Sequence, residues 1–317
     1  MFDLAGKTIF VAGHRGMVGA ALVRRLQQGG HRVLTAGRDT LDLTRQQAVE
    51  DWMAAHRPEV VVVAAARVGG IAANAARPVD FLADNLLIET NLMRAAAATG
   101  VAKLLFLGSS CIYPRDAAQP MAEAALLTGP LEPTNQWYAI AKIAGIKLAQ
   151  AYRQQYGLDF ISAMPTNLYG PGDNYDLESS HVIPALMRKA IAARDSGAAT
   201  MTVWGSGTPL REFMHVDDLA DALLFLLQNY SQAEHINVGT GEEVAISALA
   251  DMVRRIVHPD ATIVYDTSKP DGSPRKLLDV SRLHALGWRH RTSLGEGIES
   301  TYEWFLANHA DARGVLG

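Results

Sequence analysis

The stretch Thr8-Ile-Phe-Val-Ala-Gly13-His14-Arg15-Gly16-Met17-Val18-Gly19-Ala20-Ala-Leu-Val-Arg-Arg-Leu26 decides the fold. Thr8 to Ala12 is an apolar run of strand length, and the residues from Ala20 onward carry apolar side chains at helical spacing. The reading is strand, glycine turn, helix. Bare glycine Cα atoms permit a tight turn and let backbone approach a pyrophosphate, which the N-terminus of the following helix then faces. The spacing is G-x-x-G-x-x-G and not the G-x-G-x-x-G dinucleotide fingerprint, so the match is one of physical principle. Out of context such glycines are merely turn residues; directly behind an N-terminal strand, they are expected to bind a dinucleotide.

Similar strand candidates recur at His31-Arg-Val-Leu-Thr-Ala, Glu59-Val-Val-Val-Val-Ala, Lys103-Leu-Leu-Phe-Leu-Gly and Leu158-Asp-Phe-Ile-Ser-Ala, with helical stretches between them. Alternating apolar strands and helices predict a parallel sheet covered on both faces, an α/β fold of the Rossmann-type doubly wound kind. Beyond Tyr169-Gly-Pro-Gly the rhythm loosens, with loop signals at Gly205-Ser-Gly-Thr-Pro and Lys269-Pro-Asp-Gly-Ser-Pro. Residues 1–169 are therefore expected to form the dinucleotide-binding domain and 170–317 a smaller C-terminal α/β substrate domain. Phe213 to Gln228 is expected to be helix and His235-Ile-Asn-Val-Gly strand, so that 213–240 returns to the first domain.

A chain of 317 residues, 49% of them hydrophobic, can bury a large core. It has no apolar run long enough to span a membrane and no secretion signal at Met1 to Lys7. Cys111 is the only cysteine, which rules out an internal disulfide and fits a reducing cytoplasm. A formal charge of −4 argues against nucleic acid as a partner. Anionic ligands must then be held by local arginines, lysines and backbone amides. No metal site is expected.

An NAD enzyme usually offers an acidic residue to the ribose at the end of the second strand, whereas an NADP enzyme offers arginine. This strand runs out at Thr35-Ala-Gly-Arg38, followed by Asp39, and Arg15 in the glycine loop adds a second cation for a 2′-phosphate. NADPH/NADP+ is the expected cofactor. Tyr138 and Lys142 stand four apart in a helical stretch, so both project from one face, and a nearby ammonium is expected to lower a phenol from about 10 toward neutrality. Ser109, in Leu107-Gly108-Ser109-Ser110-Cys111-Ile-Tyr-Pro, falls at the carboxyl edge of the sheet, where open α/β folds bind ligands.

Serine, tyrosine and lysine in this order and setting resemble the extended short-chain dehydrogenase/reductases that process nucleotide sugars. The resemblance sharpens at Gly13 to Gly19, Ala66-Arg-Val-Gly-Gly-Ile, Gly108-Ser-Ser-Cys-Ile-Tyr-Pro, Pro165-Thr166-Asn167-Leu168-Tyr-Gly-Pro, Ser180-His181-Val-Ile-Pro-Ala-Leu and Lys269-Pro-Asp-Gly-Ser-Pro-Arg-Lys-Leu-Leu-Asp279. Together these stretches are similar to the GDP-L-fucose synthases. The resemblance implies a reductase triad of Ser109, Tyr138 and Lys142, and epimerisation by Cys111 and His181. It implies cofactor contacts from the glycine loop, Arg38, Asp39, Leu41, Leu107 to Ser110, Lys142, Pro165 to Leu168 and His181. It also implies contacts to a GDP-sugar from Ser109, Cys111, Asn167, His181, Lys189, Trp204, Arg211 and Asp279. At Ala66-Arg67 the family pattern has lysine, and the positive charge is kept.

The chemistry suits these groups. A C4 ketone acidifies the protons on C3 and C5, and inversion needs a base on one face and an acid on the other. Cysteine near 8.5 and histidine near 6.5 serve that purpose. A lone cysteine after a strand is otherwise a small buried hydrophobe. Hydride from NADPH then reduces C4 while Tyr138 gives its proton to the oxygen. A 4-epimerase would need no such pair and would not favour arginine after the second strand, and a 4,6-dehydratase would carry Asp-Glu beside its serine. A GDP-L-colitose-type synthase, epimerising C5 alone, stays open, as does a non-catalytic dinucleotide sensor. The helices over Phe81 to Ala98 and Trp137 to Tyr156 are apolar around more than one face, which predicts a homodimer.

Overall fold

In the computed structural model, which describes residues 1–176 and 180–309, the opening stretch forms β1 (Thr8–Ala12), turns at Gly13 with φ +90°, and runs into α1 (Met17–Gln28). The alternation continues through β2 (Arg32–Leu34), α2 (Gln46–His56), β3 (Val60–Val63), α3 (Ile71–Ala76), α4 (Pro78–Thr99), β4 (Lys103–Leu107), α5 (Gln136–Tyr156) and β5 (Phe160–Pro165). Then come β6 (Asn167–Tyr169), α6 (Val182–Asp195), β7 (Thr200–Trp204), β8 (Leu210–His215), α7 (Val216–Asn229) and β9 (Ile236–Val238). The chain finishes through β10 (Glu243–Ala245), α8 (Ile246–Val257), β11 (Thr262–Asp266), β12 (Arg275–Lys276), α9 (Ser281–Ala285) and α10 (Leu294–Asn308).

Six strands make one parallel sheet in the order β2-β1-β3-β4-β5-β9. The central strands β1, β3 and β4 carry buried apolar side chains toward both faces because each face meets helices. Val60 and Val62 of β3 join Ile9, Val11 and Leu105 under α1 and α7, while Val61 and Val63 join Phe10, Leu104 and Phe106 under α2, α4 and α5. The strand order reverses between β1 and β3, so their carboxyl ends open a crevice of the kind in which doubly wound sheets bind ligands. β8 pairs with β6, β10 and β12, and β7 pairs with β11. A separate apolar cluster that includes Ile183, Met187, Leu249, Val253 and Phe305 lies beneath these shorter sheets.

The helix expected over Phe213 to Gln228 starts later than its periodicity implied. Phe213, Met214 and His215 pair with Asn167, Leu168 and Tyr169, so tertiary pairing holds them as strand, and α7 begins at Val216 with the His215 ring accepting the Asp217 amide as a cap. β2 is also short, ending at Leu34, which leaves Thr35 to Asp39 as an open turn. Residues 177–179 and 310–317, part of the expected second domain, lie outside the described residues. Among the described residues no helix is long and apolar enough to cross a membrane.

Candidate functional site

The glycine loop is pressed onto the sheet. A Cβ on Gly13 would lie 2.7 Å from Cα of Ala65, and one on Gly19 would run into the Gly13 carbonyl oxygen, so both positions need glycine for close backbone approach. At the crevice edge Arg15 meets Asp39 at 3.5 Å, with both side chains largely exposed. An ion pair so open to water binds weakly and leaves the guanidinium available to a phosphate. Arg38 is exposed on the same turn, so two cations and one already-engaged acid stand where the ribose phosphate of NADP would lie. These residues fit that cofactor. His14 is held below its usual value by burial and by Arg15, with Asp39 opposing. Leu41 follows this turn with its side chain buried in the core beside Val49 and Met53.

At the end of β4, Ser109 caps a short 3-10 turn, Ser110–Ile112, with its Oγ accepting the Cys111 amide at 3.5 Å. Cys111 is buried there. Tyr138 and Lys142 sit one turn apart in the first half of α5, with the Lys142 ammonium 5.8 Å from the Tyr138 ring centroid and 4.6 Å from that of Phe106. Phe81 meets the Tyr138 ring edge-on at 6.5 Å. Two residues that were not among the expected site residues complete the cluster: Glu89 from α4, outside every quoted motif, and Lys276 from β12, within the Lys269 to Asp279 stretch. Burial lowers Lys142, opposed by Glu89 and Cys111. Burial raises the Cys111 thiol, opposed by Lys276, by the Ser109 hydroxyl and by Lys142.

The expected lowering of the phenol by Lys142 is corrected by this geometry. Burial pushes Tyr138 up, and Cys111 and Glu89 act in the same direction. Before ligands arrive, the site therefore holds a protonated phenol and a protonated thiol at neutral pH.

A neighbouring cavity of about 240 Å³ is lined by Asn167, Leu168, His181, Trp204, Arg211 and Asp271, among others. It is smaller than the range of about 300–1,000 Å³ usual for ligand pockets. His181 stands at the head of α6, its Nδ1 3.8 Å from the carboxylate of buried Asp173. Trp204 is 55% exposed, with the ammonium groups of Lys189 and Lys269 at 4.1 and 5.5 Å from its ring centroid. An exposed indole flanked by two cations suits a flat ring joined to phosphates.

Asp279 does not take the place expected of it. Its carboxylate accepts the Ser281 amide at 2.9 Å before α9, and the acid that lines the cavity is Asp271. Asp271 accepts the Ser206 amide at 2.6 Å and the Ser206 hydroxyl at 2.8 Å, fixing the turn that carries Trp204. The cavity and the buried cluster join through β8 and β12, where Arg211 pairs in register with Lys276. Glu212, fully buried, holds that junction by accepting the amides of Thr240, Gly241 and Leu278 at 2.7 to 3.0 Å.

Residues 9–239 match the model of the NAD dependent epimerase/dehydratase family. A GDP-L-fucose synthase of Sinorhizobium fredii is 58% identical over 98% of this chain and 99% of its own length. The chain belongs to the GDP-L-fucose synthases of that family. A solved GDP-L-fucose synthetase from Naegleria fowleri bound to NADP superposes with a TM-score of 0.92 at 31% identity, covering 99% of this chain and 96% of that one. The GDP-L-colitose synthase of Yersinia pseudotuberculosis is 37% identical over 94% of this chain and 97% of its own length. Among GDP-L-fucose synthases, then, the six-stranded sheet, the Tyr138/Lys142 helix face and the Cys111 turn of this chain are arranged on a shared fold.

Proposed function

We propose that the chain converts GDP-4-keto-6-deoxy-D-mannose to GDP-L-fucose, epimerising C3 and C5 and then reducing C4. The observation that carries this reading is the burial of Cys111 in one cluster with Ser109, Tyr138 and Lys142, which combines an epimerase's acid–base group with a reductase's proton donor. NADPH, when bound, supplies the hydride that C4 receives. The glycine loop holds the pyrophosphate, and Arg15 and Arg38 hold the 2′-phosphate. Ser109 hydrogen-bonds the C4 oxygen, and Tyr138 gives it a proton. Cys111 and His181 exchange the carbon-bound protons from opposite faces. Lys189, Trp204 and Arg211 grip the GDP, and Asp271 holds the Trp204 turn in place.

The direct test is deuterium uptake from heavy water into GDP-4-keto-6-deoxymannose without NADPH, followed by NMR. Label is expected at both C3 and C5, and addition of NADPH should yield GDP-L-fucose. Label at C5 alone would assign the colitose-type reaction instead, and no label would overturn the epimerase reading.

Cofactor choice gives a second expected outcome. Each charge-assisted hydrogen bond to the 2′-phosphate is worth about 1.5–3 kcal/mol, so Arg38→Ala should weaken NADPH by about tenfold or more and NADH little. Fluorescence titration of both cofactors measures this, and equal losses for the two would remove Arg38 from the phosphate site.

We further propose a cytoplasmic homodimer built on α4 and α5. These helices leave Val79, Leu87, Ile140 and Tyr156 at 73, 46, 39 and 61% exposure, apolar side chains of the kind that a second copy would cover.

A further inference from the structure

Behind Tyr138 and Lys142 lies a carboxylate that the proposed chemistry does not use. Glu89 is carried on α4 and is 1% exposed. Gly145 lets α5 settle onto it: a Cβ there would stand 2.8 Å from Glu89 Oε2 and would collide with the Phe106 ring. Neither carboxylate oxygen has a hydrogen-bond partner among the described residues. The Gly145 amide leans toward the carboxylate without completing a bond, and the charge that opposes its burial is the Lys142 ammonium. Lys142 is itself only 2% exposed. The other titratable groups that face this pair are Tyr138, on the same helix as Lys142, and Cys111, on the turn after β4. A carboxylate buried without hydrogen bonds is costly to keep, and burial pushes Glu89 up to about 7. The charge that opposes this across the cluster, without a direct ion pair among the described residues, is the Lys142 ammonium.

We propose that Glu89 is a positioning residue whose buried charge favours the protonated form of Lys142 beside Tyr138. This rests on the reading of Tyr138 as the proton donor to C4. When Tyr138 gives its proton to the substrate oxygen it becomes a phenolate, and a charged Lys142 is what stabilises that anion until a proton returns from solvent. Burial alone drives Lys142 toward the neutral amine, and the Glu89 carboxylate opposes this. The sign follows directly. Lysine carries its charge below its pKa, so without the Glu89 charge Lys142 loses its proton at a lower pH as pH rises.

The test uses the full chain with NADPH and GDP-4-keto-6-deoxymannose, and compares wild type, Glu89→Gln and Glu89→Asp. Kinetics are measured across pH, and the charge of Lys142 is followed by NMR of carbon-labelled lysine side chains. Glu89→Gln should lower kcat about tenfold or more with KM changed by less than about twofold. Both the alkaline limb of kcat and the Lys142 titration should move down by about one pH unit or more. Glu89→Asp, with its carboxylate drawn back, should shift both in the same direction by less, and it carries the test if the glutamine variant does not fold. A Lys142 titration and a kcat profile unchanged from wild type in either variant would overturn the proposal. Tyr138→Phe and Lys142→Met separate the two levels of inference. Their inactivity beside an unaffected Glu89→Gln sinks the role of Glu89 alone, whereas full activity in them sinks the reading of the site and the proposal with it.

Discussion

Tyr138→Phe is expected to cut turnover of the ketosugar by about 100-fold or more while leaving cofactor affinity near that of wild type. The phenol on α5 faces the Cys111 turn at the end of β4, and burial keeps it protonated at neutral pH, the form a donor needs. Its ring packs edge-on to Phe81, a contact that phenylalanine preserves, so the loss should be chemical and not structural. Deuterium exchange at C3 and C5 should fall less, because Ser109 still hydrogen-bonds the ketone. NADPH consumption at near wild-type rate in this variant would refute the assignment.

The second large effect is expected at Cys111, where epimerisation and reduction should come apart. Cys111→Ser keeps the size and the hydrogen-bonding capacity, but an alcohol holds its proton far beyond the useful range, so exchange from heavy water should drop by about 100-fold or more. Reduction need not stop. If the unepimerised ketone still reaches the nicotinamide, the variant should slowly yield a GDP-6-deoxyhexose that keeps the starting configuration at C3, C5 or both. In wild type, burial raises the thiol above its ordinary value, so the thiolate fraction, and exchange with it, should climb as pH rises past neutrality. His181→Gln should also lose exchange. Unchanged labelling in both variants would make Cys111 and His181 bystanders and leave a plain ketosugar reductase.

Much of this was legible in the chain itself, for physical reasons that differ from part to part. Glycines at 13, 16 and 19 after an apolar strand announce a phosphate turn because few other structures need bare backbone there. Tyr138 and Lys142 declare a shared helix face by spacing alone. What lay out of reach depended on packing. Lys269 to Asp279 holds two acids, and which of them reaches the cavity depends on where Ser206 folds back to meet it, a contact that spacing does not distinguish between Asp271 and Asp279. Glu89 shares α4 with Asp80 and Asp84, which pair with Arg67 nearer the surface, and nothing in the spacing marks Glu89 as the buried one. The ordering of Phe213 to His215 as strand came from a partner some forty-five residues earlier, at Asn167 to Tyr169. The direction of the Tyr138 and Cys111 shifts reflects desolvation, which has no signature in spacing.

The place of β9 bears on how the protein is made. On the ribosome, β1 to β5 emerge first and can pair, but the outer edge of β5 has no neighbour until Ile236 to Val238 has been synthesised, after β6 to β8, α6 and α7. For that interval an apolar strand, Phe160 to Pro165, presents unpaired amides and carbonyls of the kind that recruit foreign strands. A cut between β5 and β9 leaves the six-stranded sheet without its last strand, so a fragment ending near Tyr169 would retain the exposed edge permanently. Truncation there should give aggregates, and the long intervening segment is tied to the cofactor half by the timing of its own closure.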